Sequence, residues 1–136
     1  MRRLIALTLS AIIALSPALA AEVAPAPSAP LAPSAPPPPY EDQFLRLAEI
    51  LGALHYLRAL CKADDGEAWR QQMEALIASE QPDDLRRARM VDRFNHGYDG
   101  FKSVYLSCTP AASVATDRYL QEGAKIAADI TARYGK

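Results

Sequence analysis

Residues 41–61 read EDQFLRLAEILGALHYLRALC, and this stretch decides the fold. Its apolar residues recur at intervals of three and four, as they do on one face of an α-helix. A helix with so broad an apolar face must bury it against other helices, so the stretch predicts the first element of an all-α domain. The face consists of Phe44, Leu47, Leu51, Leu54 and Cys61, widened by Ile50 and Leu57.

The first twenty residues have the three parts of a cleavable secretory signal peptide. Two arginines precede an apolar run over residues 4–15, and Ala18 and Ala20 are small residues just before a cleavage site at Ala21. A membrane anchor is the alternative, but a spanning helix needs about 20 apolar residues. We therefore expect a bacterial protein that is periplasmic or secreted, with no stable membrane insertion after cleavage.

Residues 21–40 predict a linker. They are almost entirely Ala, Pro and Ser, and eight of the nineteen residues from 21 to 39 are proline. Such a composition cannot bury enough apolar surface to offset the entropy of ordering. We predict a disordered, extended, proline-rich tether, with a ligand for a proline-binding groove as the alternative reading. Residues 41–136 then form the folded domain.

Three further helices follow, separated by short breaks. The second covers residues 65–79, and Asp64 with Glu67 has the spacing of a capping box at its start. The third covers residues 82–107, with Pro82 as its first helical residue.

The fourth helix starts at a clear signal. Thr109 is a residue type preferred at the N-cap, and Pro110 is one preferred at the first helical position. The helix is predicted to end near Tyr134. The core-facing residues predicted for the later helices are Trp69, Met73, Leu76 and Ile77, then Met90, Phe94, Gly97, Phe101, Val104 and Cys108, then Ala112, Ala115, Tyr119, Gly123, Ile126 and Ile130.

Short connections between four helices favour a small antiparallel four-helix bundle. In that topology the first and third helices point the same way, so Cys61 and Cys108 lie at the same end. Two cysteines in a small exported domain pair with each other. Topology and compartment therefore both predict one disulfide, Cys61–Cys108. Gly97 and Gly123 predict a close approach between the third and fourth helices, with a kink that opens a pocket as the alternative.

Charge and motif content exclude several functional classes. Without residues 1–20 the chain has 13 basic and 16 acidic side chains, a balance that argues against binding nucleic acid or anionic membrane. His55 and His96 are the only histidines, and they lack the spacing of metal ligands or of a general base beside a carboxylate. We therefore expect no metal, no cofactor and no catalytic residue.

Arg58 marks the most plausible binding site. It lies on the apolar face of the first helix, where a cation has to find a partner or reach water. Tyr105 and Tyr119 are expected near the same disulfide-bearing end, and His55 lies one turn away from Arg58. These four residues form the candidate pocket, for a small anionic ligand. Alternatively, Arg58 is a structural cap on helix-terminal carbonyls.

Three stretches of the domain are distinctive: LAEILGALHYLRALC at residues 47–61, FNHGYDGF at residues 94–101 and CTP at residues 108–110. Together they resemble a family of small exported bacterial proteins of unknown function, and the resemblance extends over most of residues 40–134. It implies export and the domain boundaries. It implies no reaction, cofactor or catalytic residue.

The leading hypothesis is a non-enzymatic helical module that binds another envelope protein or a small ligand. It rests on the absence of a reaction motif, on the disulfide-braced bundle and on the tether. The alternative is a small envelope enzyme that uses a cleft near Arg58 at the disulfide end. That alternative requires His55 and Arg58 to converge on one cavity.

Overall fold

The structure, a computed structural model, describes residues 36–135, and these form four α-helices with no strand. The all-α prediction with four helices is confirmed, and the observed ends lie within three residues of the predicted ones. The predicted signal peptide and residues 21–35 of the predicted linker lie outside the described residues. The helices are α1 (Glu41–Leu60), α2 (Gly66–Glu80), α3 (Asp84–Val104) and α4 (Pro110–Tyr134).

Helix α1 is the central rod of the bundle, and the other three helices pack around it. Its residues from Ile50 to Leu54 are consecutive and all buried, which requires cover on every side of the helix. Helix α3 makes the most extensive contact with α1, and α2 touches α3 only slightly. The backbone of α4 packs on α1 alone. The bundle is therefore built around one central helix.

Helices α1 and α3 run parallel, as predicted, and a disulfide joins them at one end. Glu41 and Arg86 form an ion pair near the starts of the two helices. Cys61 and Cys108 lie just beyond the ends and are bonded, with 4.9 Å between their Cα atoms. The predicted disulfide is confirmed, and it closes a loop that contains α2 and α3.

Helices α2 and α4 run antiparallel to α1. Residues near the start of α2 contact the end of α1, and residues at the end of α2 and of α4 contact the start of α1. The contacts that establish this are Arg58–Asp65 and Tyr40–Glu80 for α2, and Arg46–Glu122 and Tyr40–Tyr134 for α4.

Two glycines set the distance between α1 and α3. A Cβ added at Gly97 would lie closer than 3.0 Å to the carbonyl group of Glu49, and one added at Gly52 closer than 3.0 Å to the carbonyl group of Phe94. The two backbones therefore touch where each helix lacks a side chain. The prediction that Gly97 and Gly123 bring α3 and α4 together is wrong, because both glycines face α1.

The start of α4 follows its sequence signal, and the start of α3 differs from it. Thr109 caps α4, its hydroxyl oxygen accepting the Ala112 N–H at 3.2 Å. Helix α3 was expected to begin at Pro82. Instead Asp83 is its N-cap and accepts the Arg86 N–H at 2.7 Å, because a carboxylate at this position satisfies a free N–H of the first turn.

A buried ionic cluster holds the end of the bundle opposite the disulfide. Arg86 Nε donates to Glu41 Oε2 at 2.7 Å, and Arg86 Nη2 lies 2.9 Å from Glu80 Oε2. The Tyr40 hydroxyl also donates to Glu80. The three ionic side chains are only 10% to 19% exposed. The cluster therefore joins the starts of α1 and α3 to the end of α2 in a poorly solvated place.

Candidate functional site

Arg58 and His55 lie at the junction of α1 and α2. The Arg58 guanidinium donates twice to the Asp65 carboxylate, from Nε to Oδ1 and from Nη2 to Oδ2, at 2.8 Å each. His55 Nδ1 lies 2.9 Å from the carbonyl oxygen of Gly66, so this nitrogen carries the proton and donates it. Both side chains therefore brace the turn between α1 and α2.

The Arg58–Asp65 ion pair lies at the start of α2. The hydrogen bonds from Arg58 hold the pKa of the Asp65 carboxyl below its ordinary value, and the Trp69 indole, whose Nε1 is buried without a hydrogen bond of good geometry, adds a smaller lowering. The prediction that Asp64 is the N-cap of α2 is wrong. Asp65 is the N-cap, and it makes no capping hydrogen bond because its carboxylate binds Arg58. Arg58 thus pairs with a carboxylate and not with helix-terminal carbonyls.

Tyr105 and Tyr119 lie elsewhere, in a shallow pocket of about 410 Å³ between α3 and α4. The arginine that lines this pocket is Arg118. The structure thus brings together two of the four predicted pocket residues and leaves Arg58 and His55 at the junction of α1 and α2. Their assignment to one ligand pocket stays a prediction, as does the enzyme hypothesis that depends on it.

A larger concave surface lies between α2 and α4, with α1 as its floor and a volume of about 530 Å³. It exists because α2 and α4 both pack on α1 and not on each other. We name it the α2–α4 cleft. Its lining residues are Leu47, Ile50, Leu51 and Leu54 of α1, Ala68, Trp69, Gln72 and Leu76 of α2, and Leu120, Gly123, Ala124 and Ala127 of α4.

The cleft residues of α1 and α4 share one spacing. Residues 47, 50, 51 and 54 and residues 120, 123, 124 and 127 all follow the pattern i, i+3, i+4, i+7, which places each set on one face of its helix. The α1 floor is made of large aliphatic side chains, whereas the α4 wall is mostly glycine and alanine. A Cβ at Gly123 would lie 3.1 Å from Ile50 Cγ2, so the absence of that Cβ makes room for the floor.

The cleft carries no formal charge, since none of its twelve lining residues is ionisable in the accessible pH range. The residues that flank its middle on the outer sides of α2 and α4 are uncharged and exposed, whereas exposed Asp117 of α4 lies one turn before Leu120, toward the Arg58–Asp65 ion pair. Gln71 and Ala75 flank it on α2, and Gln121 and Ala128 flank it on α4. The other ionic residues of α4, among them Lys125 and Asp129, lie away from the cleft lining. The arrangement suits an apolar ligand group and offers no acid, base or nucleophile.

Sequence reasoning did not identify this cleft. The residues Ala124, Ala127 and Ala128 have the appearance of ordinary helix formers on an exposed surface. The available signal is a combination of two features: an uncharged flank beside the core face of α4, and the continuous apolar run at residues 50–54 of α1. Neither feature shows by itself which helices leave a gap between them.

Three further observations concern residues 36–135. They contain no group of three or more His, Cys, Asp or Glu side chains placed to hold a metal ion. No helix among them combines the length and the apolar character needed to cross a bilayer. His96, the second histidine of the chain, is exposed on α3.

The chain belongs to the family described as protein of unknown function (DUF2385), whose model matches residues 39–134. The match covers all four helices, and it confirms the resemblance to an uncharacterised domain family. No curated protein and no solved structure matches the chain. The family description names no ligand or reaction, so the geometry of the described residues has to carry any functional inference.

Proposed function

We propose that the protein is an exported, non-enzymatic binding module of the bacterial envelope that holds its target through the α2–α4 cleft. The observation that carries the proposal is the cleft itself. It has a volume of about 530 Å³ and is lined by apolar side chains and two polar ones. Concave, mostly apolar sites with a few polar groups are typical of binding sites. Apolar surface of this kind is also stabilised when a partner removes it from water.

The proposed location is the periplasm or the medium, after cleavage of a signal peptide over residues 1–20. The Cys61–Cys108 bond supports this location, because disulfides persist in oxidising compartments and are rare in the cytosol. In this proposal the proline-rich residues 21–39 serve as a tether for the domain, and Tyr40, which packs against the core, belongs to the domain.

Binding of a neutral apolar dye, N-phenyl-1-naphthylamine, tests the proposal on the chain from residue 21 to 136. Trp69 lines the cleft and is the only tryptophan in the chain, so energy transfer from its indole to the dye reports binding to the domain, and variants of the cleft locate the site. We expect saturable binding of one dye molecule with quenching of Trp69 emission.

Two matched variants make the test specific. Ala124→Glu adds a carboxylate to the exposed wall of the cleft, and we expect it to weaken dye binding about tenfold or more, because a charge next to bound apolar surface loses its hydration. Ala88→Glu adds the same charge at an exposed position of α3, outside the cleft, and should bind like the wild type. Equal affinity of the two variants, or the absence of saturable binding, would disprove the proposal.

A further inference from the structure

A pocket between the end of α3 and the start of α4 is separate from the α2–α4 cleft, and the two share no lining residue. It exists because α3 and α4 meet through side chains and not through close backbone contact. Its volume of about 410 Å³ lies within the range of about 300–1,000 Å³ that is typical of small-molecule sites. We name it the α3–α4 pocket. Its lining residues are Phe101 and Tyr105 of α3 and Ala111, Val114, Ala115, Arg118 and Tyr119 of α4.

Tyr105 is held in place on the α3 side of the pocket. Its N–H donates to the Phe101 carbonyl oxygen at 2.9 Å, and its own carbonyl oxygen accepts the Tyr56 hydroxyl. Cys108, three residues later, is bonded to Cys61. The segment that carries the Tyr105 ring is therefore fixed to α1, and a pocket whose walls are already ordered loses less conformational entropy when it binds a ligand.

Three aromatic rings line the α3–α4 pocket. The rings of Phe101 and Tyr105 are nearly parallel, with 10° between their planes, and Tyr119 meets Phe101 edge to face with 4.9 Å between ring centroids. On the α4 side, Ala111 and Ala115 carry only a methyl group each, which leaves room for a flat group. Aromatic rings prefer offset-stacked or edge-to-face partners, so this lining favours a ligand with an aromatic ring over one with an alkyl chain.

Arg118 is the ionic side chain of the lining. Its guanidinium carbon lies 5.7 Å from the centroid of the Tyr119 ring. It forms no ion pair within residues 36–135, whereas Arg46 and Arg58 each bind a carboxylate. A planar guanidinium presents its N–H donors as a fork that matches the two oxygens of a carboxylate. An unpaired cation beside aromatic rings therefore favours a ligand that is both anionic and aromatic.

The carboxylates that neighbour Arg118 along α4 face other cations. Glu122 follows one turn later, but both of its carboxylate oxygens accept hydrogen bonds from Arg46, at 2.7 and 3.0 Å. Asp117 lies on the side of α4 toward Arg58. At the other end of the pocket, the first turn of α4 contains no acidic residue, and the N-terminus of a helix carries a partial positive charge. Both ends of the α4 wall therefore favour an anion.

We propose that the α3–α4 pocket binds a small aromatic carboxylate, with its carboxylate on the Arg118 guanidinium and its ring against Phe101 and Tyr105. The site goes beyond the proposed function, because it lies outside the α2–α4 cleft and takes an anion, whereas the cleft suits a neutral apolar group. Two of the residues predicted for an anion-binding pocket, Tyr105 and Tyr119, line it, and Arg118 supplies the cation that the sequence analysis assigned to Arg58.

Titration of the chain from residue 21 to 136 with 1-naphthoate tests the proposal. We expect saturable binding of one naphthoate by calorimetry, with shifts of backbone amide signals in ¹H–¹⁵N NMR spectra concentrated at residues 101–119. Two matched probes separate charge from shape. 1-Naphthamide has nearly the same shape without the charge, and octanoate has the charge without a ring. Both should bind about tenfold more weakly or less tightly still, because the first lacks the charge-assisted hydrogen bonds and the second lacks the ring contacts.

Variants of exposed arginines locate the site. Arg118→Met should raise the Kd of naphthoate about tenfold or more. Arg118→Lys should raise it less, because lysine keeps the charge but not the fork of donors. The control Arg87→Met removes an exposed arginine near the start of α3, far along the helix from the pocket, and should bind like the wild type. Ala124→Glu, in the α2–α4 cleft, should also leave naphthoate binding unchanged.

Several outcomes would overturn the proposal. They are the absence of saturable naphthoate binding, equal affinity for naphthoate and either matched probe, and equal effects of Arg118→Met and Arg87→Met. Loss of naphthoate binding in Ala124→Glu but not in Arg118→Met would assign the anion to the α2–α4 cleft and would overturn it as well. Binding of the neutral dye is measured independently of these results, so failure of this proposal and failure of the proposed function are distinguishable.

Discussion

Gly97 of α3 lies against the carbonyl group of Glu49 in α1 with no room for a Cβ between them. The contact occurs at the centre of the α1–α3 interface, beside Gly52, which makes the reciprocal contact with Phe94. Close contact of two helix backbones brings the side chains around it into dense packing. The α1–α3 interface therefore requires glycine at both position 52 and position 97.

Gly97→Ala is expected to destabilise the domain by about 3 kcal/mol or more, because a backbone cannot move aside as a side chain can. Urea unfolding followed by Trp69 fluorescence measures the change. The control is Gly100→Ala in the same helix, where an added Cβ meets nothing within 4 Å. It should stabilise the helix by about 0.5–1 kcal/mol. Similar effects of the two substitutions would contradict the packing.

Arg86→Met is expected to reduce the free energy of unfolding by about 3–5 kcal/mol, because it leaves the Glu41 and Glu80 carboxylates buried without a cation. Arg70→Met is the control. Arg70 also pairs with two glutamates, but its side chain is 50% exposed, and exposed pairs contribute little. Thermal unfolding should therefore show a large loss for the first variant and no measurable loss for the second. Equal losses would mean that burial does not set the strength of these pairs.

Acidification is expected to weaken the α1–α4 contact through Glu122. Arg46 donates to its carboxylate at 2.7 and 3.0 Å, and these bonds hold the pKa of Glu122 below the ordinary value of 4.5. Because the folded-state pKa lies below the unfolded-state one, the ion pair stabilises the fold fully above about pH 4.5, and this stabilisation is lost as the pH falls through the folded-state pKa.

Glu122→Gln tests this pH dependence. The variant should be less stable than the wild type near neutral pH by less than about 1 kcal/mol, since the paired side chains are 32% and 35% exposed and partly screened by water. The difference should shrink as the pH falls below about 4.5 and through the lowered folded-state pKa of Glu122. Asp99→Asn, at an exposed carboxylate of α3, is the control for loss of a charge. A difference that persists in acid would argue against the ion pair as its source.

Replacing both Cys61 and Cys108 with serine is expected to cost about 4 kcal/mol of stability on the chain-entropy model, given their separation of 47 residues. Urea unfolding of the wild type in dithiothreitol should reproduce the loss, and the same reductant should leave the double variant unchanged. A loss well under 1 kcal/mol would indicate that α1 and α3 hold their ends together without the bond.

Much of the fold was predictable because its signals are local. The spacing of apolar residues predicts four helices, and Thr109 with Pro110 predicts the start of α4 because capping and a preset φ act within one turn. The Cys61–Cys108 bond was also predictable, since only one pairing exists and the helix directions bring those ends together. Asp65 illustrates the limit of local signals: its carboxylate binds Arg58, seven residues earlier, and the expected cap at Asp64 does not form.

The candidate site was not predictable in the same way. The assignment of Arg58, His55, Tyr105 and Tyr119 to one pocket stays a prediction, and the contacts of Arg58 with Asp65 and of His55 with the Gly66 carbonyl are not encoded in any spacing along α1. The cleft depends on which neighbours of α1 touch each other, and no residue spacing within one helix contains that information. An exposed alanine such as Ala124 suits any exposed position of a helix, so the sequence does not show whether it lines a cleft.

The sequence by itself therefore determined four helices, their directions, the disulfide and most of the buried faces, because each depends on periodicity, on capping or on a single available pairing. Only the tertiary structure decided that α1 lies at the centre and that α2 and α4 stay apart. The physical reason is that Gly52 and Gly97 let α1 and α3 approach at backbone distance, and the gap over α1 depends on how the remaining helices fit around that pair.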